Sequence, residues 1–129
     1  MITNLASMMV ERLKAFQVKN KRLPARILVY RDGVSEGQFQ IVVGEELPSM
    51  KAAFKTFNTA QGAYLPKLTI VICGKRHHTR FYPTEESAAD RDGNPRPGTV
   101  VDRGVTAVYD FDFFLQGKPR PSHPDFTYL

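Results

Sequence analysis

The chain has 129 residues, 42% of them hydrophobic and 24% charged, with a formal net charge of +5. That length suffices for one domain around a single core, and the balance is ordinary for a soluble globular chain. A disulfide scaffold is excluded, because Cys73 is the sole cysteine; no apolar run approaches the roughly 20 residues of a membrane helix, and MITNLASMMVERLKAF does not read as a secretion signal. A single thiol inside the apolar run LTIVIC suits a reducing compartment and a buried, inert side chain.

In chain order, Ile2, Leu5, Met9, Leu13 and Phe16 recur at spacings of three and four. This predicts an amphipathic helix that ends near Asn20 and Pro24. Ala25–Tyr30 contains Ile-Leu-Val-Tyr and reads as a short buried strand stopping at Arg31-Asp32-Gly33. Phe39, Val42, Val43 and Leu47 open a second helix, with a kink or a restart expected at Pro48 before Met50, Ala53, Phe54 and Phe57 continue it. Pro66 then precedes LTIVIC, which reads as a central strand. Helix, strand, helix, strand points to an α/β layer with a parallel pair. Beyond Lys75, RHHTRFYP is strand-like, Thr84–Gly98 is an exposed loop, and GTVVDRGVTAVYDFDFFL supplies two short strands. The proline-rich end, QGKPRPSHPDFTYL, reads as irregular.

The basic residues are segregated. Arg12, Lys14, Lys19, Lys21, Arg22, Arg26 and Arg31 succeed one another with no acid between them. Lys75, Arg76 and Arg80 form a second group around His77 and His78, and Arg96, Arg103, Lys118 and Arg120 a third. Such clusters attract a polyanion, although a solvated basic face accounts for them as well.

Asp32 stands at the carboxyl end of a predicted strand, where ligands of open α/β sheets collect. A carboxylate there can coordinate Mg²⁺, and paired metals about 4 Å apart clamp a phosphoryl transfer. The alternative is a turn-forming Asp-Gly. One aspartate cannot hold two metals, and Glu11 is the only acid before it. His77 and His78 would point to opposite faces of an extended segment, so they cannot chelate one ion together. KRHHTR fits better as a phosphate-facing strip of Lys75, Arg76, His78 and Arg80, or else as a polar edge strand. Asp110 and Asp112 share one strand face, most simply a solvated one.

Three blocks taken together resemble the Piwi domain of eukaryotic Argonautes: ILVYRDGVSEGQF (Ile27–Phe39), KRHHTRFYP (Lys75–Pro83), and GTVVD (Gly98–Asp102) with FDFFL (Phe111–Leu115). Their order and spacing agree as well, and RPSH (Arg120–His123) is a shorter fourth match. The resemblance implies a partial RNase H-like Piwi fold over residues 1–129, a mixed sheet with flanking helices, with the first strands and the C-terminal part missing. It also implies a parent that cleaves target RNA with Mg²⁺ (or Mn²⁺), through Asp, Glu, Asp and a final His or Asp. Asp32 corresponds to the second of those aspartates, a catalytic metal ligand; the other three fall outside the chain. The chain alone is therefore expected to be inactive and to hold no metal firmly.

By the same resemblance Lys75, Arg76, His78 and Arg120 correspond to positions that contact guide phosphates. The implied partners are guide RNA, target RNA and silencing-complex proteins, with no membrane, in the cytoplasm or the nucleus. Two departures stand out: the chain is shorter than the family between FDFFL and GKPRPSH, and after RPSH the segment PDFTYL does not match the family's next strand. The alternatives are a Piwi module that binds nucleic acid or a partner without cleaving, and an unrelated small basic α/β RNA-binding domain.

Overall fold

The computed structural model describes residues 2–108 and 111–117. Asp110, Arg120 and the RPSH block lie outside the described residues. The chain is mixed α/β, and it divides into two compact units: Met1–Val29 with Val34–Val71, and Tyr30–Gly33 with Ile72–Leu129.

In the first unit, α1 (Leu5–Asn20) starts three residues later than the apolar pattern, after Asn4, whose carbonyl accepts from the Ser7 hydroxyl and the Met8 N–H. Its end is firmly closed. Lys21 takes the left-handed conformation (φ 59°), and its N–H returns to the Gln17 carbonyl at 2.8 Å. The expected apolar stripe is only partly used: Leu5 and Leu13 are buried, while Ile2 and Phe16 stay exposed.

The second helical stretch passes through Pro48. α2 (Phe39–Ile41) runs into a π-helical segment, Val42–Glu46, and then into α3 (Leu47–Lys55). Proline lacks an N–H, and its ring collides with the carbonyl four residues back, here Gly44. Widening the turn just before it relieves that conflict, and the Leu47 N–H bonds to Val42, five residues back. The anticipated kink is thus a π segment. α3 packs on α1, and this unit's buried apolar residues are Leu5, Leu13, Val34, Val42, Met50, Ala53 and Phe54. Each such large side chain contributes roughly 1.5–3 kcal/mol by leaving water. Glu46 is buried among them and accepts the Ile2 N–H at 3.3 Å.

β1 (Arg26–Asp32) and β2 (Lys67–Cys73) form a two-stranded sheet. Their starts meet, Lys67 N–H donating at 3.0 Å to the carbonyl of Ala25, the residue before β1, and at the other end Lys75, two residues past β2, reaches Asp32. The strands therefore run in the same direction, as the element order predicts. β1 extends two residues past Tyr30, so Asp32 is its last residue. Nor is it fully buried: Ile27, Val29 and Arg31 are half-covered, while Leu28 and Tyr30 face solvent. Gly33 (φ 75°) ends it, in a conformation that side chains other than glycine's disfavour.

In the second unit, β3 (Val100–Val101) and β4 (Phe114–Leu115) pair antiparallel, Val100 opposite Leu115 and Val101 opposite Phe114. These are the two expected short strands, each cut to two residues. The exposed Thr84–Gly98 loop is ordered by its own side chains. Asp90 Oδ1 accepts the N–H groups of Asp92 and Asn94, both at 2.9 Å, and Ala89 bridges Pro95.

Candidate nucleic-acid interface

RHHTRFYP forms no strand, and among the described residues no neighbouring backbone pairs with it. It nevertheless alternates as a strand does. His77, Thr79 and Phe81 are half-buried, while His78, Arg80 and Tyr82 are exposed. Aromatic packing fixes the register in place of a ladder: the His77 and Phe81 rings meet Phe114 edge-on, at 5.3 and 5.2 Å between centroids. This separates the two histidines. Burial above all, and then the Arg80 charge, push the His77 imidazole below the ordinary histidine range. His78 stands on the outer side.

Lys75 precedes this segment and Arg76 opens it, both exposed. Arg80 is partly committed to shaping it, since its Nη1 donates to the carbonyls of His77 (3.2 Å) and Thr79 (2.8 Å). Lys75, Arg76 and His78 thus present cationic or polar groups outward from a fixed backbone. Arg80 contributes both charge and bracing.

Asp32 and Lys75 meet directly. Lys75 Nζ donates to Asp32 Oδ2 at 2.6 Å, and the Gly33 N–H donates to Oδ1 at 2.8 Å. The Lys75 hydrogen bond is the main cause that holds the Asp32 carboxyl below the usual carboxylate range. Both side chains remain about half exposed. Arg31 turns its guanidinium onto the Asp32 carbonyl. Cys73 closes β2 as a buried thiol outside any disulfide, pushed up by burial and then by the Asp32 charge.

Asp32 fits a divalent cation as one oxygen ligand: it is accessible, ionised, and already draws a cation onto Oδ2. Among the described residues, no three His, Cys, Asp or Glu side chains come together to hold a metal ion. No described helix is long and apolar enough to cross a membrane.

Residues 1–123 match the family model of the Piwi domain. The chain belongs to the Piwi domain family. It is 42% identical to the protein argonaute 18 of Oryza sativa subsp. japonica, over 95% of this chain and 12% of that relative. Among solved structures, the C-terminal lobe of a budding yeast Argonaute superposes with a TM-score of 0.82 at 38% identity, covering 99% of this chain and 27% of that one. Kluyveromyces polysporus Argonaute, solved with a guide RNA, gives 0.79 at 37%, covering 99% and 15%. This Piwi chain thus spans about an eighth of the length of the rice relative.

Within this Piwi segment, the sequence motifs named the charged residues but not their pairing. Asp32 and Lys75 are 43 positions apart, and only adjacent strands running the same way bring them together. The parallel expectation was the one available signal, since it places both strand ends on one side.

Proposed function

We propose that this Piwi segment acts in guide-RNA-directed silencing: its Lys75–Arg80 strip holds backbone phosphates, and Asp32 supplies one ligand of a metal-dependent cleavage centre. The observation that carries this reading is the meeting of Asp32 with the start of the basic strip at the carboxyl end of the β1–β2 pair. Phosphate oxygens attract Lys75, Arg76 and His78 without any reading of base sequence. An RNase H-like arrangement of the longer protein would bring further ligands to Asp32. Mg²⁺ or Mn²⁺ bound there would supply Lewis-acid activation of a phosphodiester. Asp32 itself holds and orients, and the Gly33 N–H on Oδ1 keeps its carboxylate in place.

The relatives support this reading. Argonaute of K. polysporus was solved with a guide RNA, and the shared fold places the same kind of segment in it. Cytoplasmic or nuclear action on guide and target RNA, with silencing proteins as further partners, belongs to the same proposal.

The deciding experiment introduces Asp32→Ala into the full-length protein and measures target cleavage and guide binding side by side. Loss of cleavage with guide binding retained is expected. Undiminished cleavage would reduce Asp32 to a turn residue.

A further inference from the structure

The ion pair at the end of the sheet does more than join two strands. Lys75 belongs to both halves of the proposed function: it heads the phosphate strip, and its ammonium rests on the carboxylate that would take a metal. It cannot serve both at once. A divalent cation and an ammonium on Asp32 Oδ2 would repel each other and compete for one oxygen. A phosphate drawing Lys75 away would leave Asp32 without that counter-charge.

We propose that Lys75 is a displaceable counter-cation of Asp32, so that metal on Asp32 and phosphate on Lys75 favour one another's binding. This rests on the reading of Asp32 as a metal ligand given above. Three features make the exchange easy. The pair is about half exposed, and ion pairs of that kind are held weakly. Lysine carries a compact charge on a flexible four-carbon stem, which swings without disturbing the backbone. Asp32 Oδ1 keeps its Gly33 N–H whichever cation occupies Oδ2, so the carboxylate stays oriented through the swap. The released ammonium lies one residue from Arg76, already among exposed cations. Coupling of this kind is reciprocal: whatever factor metal adds to phosphate affinity, phosphate adds to metal affinity.

The test uses the full-length protein with Mn²⁺ as the metal and a guide-length single-stranded RNA as the phosphate source. Mn²⁺ affinity is measured by electron paramagnetic resonance for the wild type, Lys75→Met, Lys75→Arg and Asp32→Asn, counting only the binding that Asp32→Asn removes. Lys75→Met, which keeps the stem and loses the charge, should bind Mn²⁺ about fivefold or more tightly than wild type without RNA, the lower end of ordinary coupling between sites. Lys75→Arg should show no such gain. RNA should tighten Mn²⁺ binding to the wild type and add little to Lys75→Met. Equal Mn²⁺ affinity of wild type and Lys75→Met, or the same RNA effect in both, would overturn the proposal. Mn²⁺ binding indifferent to Asp32→Asn would instead overturn the underlying reading of Asp32.

Discussion

The Tyr64 hydroxyl donates to the Pro24 carbonyl at 2.6 Å, joining residues 40 positions apart. Pro24 has no N–H of its own to enter the sheet, and its carbonyl lies just before β1. Tyr64 reaches it from the connection between α3 and β2, its ring held edge-on by Phe54 at 5.8 Å and Phe57 at 6.0 Å. One side chain thus ties the entry of β1 to the end of the helical layer. Tyr64→Phe keeps the ring and drops the hydrogen bond, so a loss of about 1 kcal/mol is expected in denaturant unfolding. Tyr64→Ala also loses the aromatic packing and should cost roughly 2–3 kcal/mol for a half-buried ring. Equal effects of the two would mean that the hydroxyl contact, not the packing, dominates.

Much of this arrangement was legible in the sequence, and the illegible remainder has identifiable causes. Leu5 and Leu13, or Met50 and Phe54, announce helices because burial obeys a local period. Pro48 announced a disturbance, but a kink, a restart and a widened turn all relieve the same clash, and no local period chooses among them. Glu46 follows Glu45 with nothing local to mark it as internal, yet it is buried and accepts the Ile2 N–H. The period-two exposure from His77 to Tyr82 was equally visible. The strand was not realised: among the described residues no backbone pairs with the segment, and Phe114 supplies ring contacts instead. Motif and charge singled out Asp32 and the strip as candidates; the contact between Asp32 and Lys75 came only with the strand order.

Met50 is wholly buried within the first unit, at 0% exposure, whereas Val18 on α1 is 71% exposed. Removing Met50 takes apolar atoms out of a packed interior and leaves a cavity. Met50→Ala should therefore destabilise by about 2–5 kcal/mol, while Val18→Ala stays within about 0.5 kcal/mol. Chemical denaturation of both variants checks this. A mild Met50→Ala would mean that the unit collapses readily around the gap.

His77 gives the second unit a pH dependence. Its imidazole is held below the ordinary histidine range, so the folded chain binds this proton less readily than the unfolded chain. Stability from this group is therefore fully present above the unfolded value near 6.5 and falls as pH drops through that value toward the folded one. The contact with Phe114 should loosen over the same window. Amide exchange around residues 77–81 and 114, compared between about pH 7.5 and about pH 5.5, should quicken at the lower pH. His77→Phe, which keeps an apolar ring against Phe114, should flatten that response, and His78→Ala should leave it intact. A pH response that tracks His78 instead would reverse the assignment of inner and outer histidine.

The outward alternation also predicts which substitutions alter RNA binding and in what manner. Lys75, Arg76 and His78 are exposed, whereas Thr79 is half-buried within the same stretch. A phosphate contact releases condensed counterions, so each cation lost should lower the log–log salt slope for single-stranded RNA by about 0.7. Lys75→Ala combined with Arg76→Ala should thus lower the slope by roughly 1.4 and weaken all RNA sequences alike, because phosphates carry no base information. Thr79→Val, a change on the inner side, should leave the slope unchanged. Arg80→Ala should do more than remove a charge, since its guanidinium braces the His77 and Thr79 carbonyls. It should lower the slope and also speed amide exchange across residues 77–80, which Arg76→Ala alone should not. Filter binding of the full-length protein at stepped salt, with two RNAs of unrelated sequence, measures the first effect. An unchanged slope in the Lys75, Arg76 double variant would leave the segment as an ordinary polar surface. A slope change confined to one RNA sequence would mean that these residues read bases.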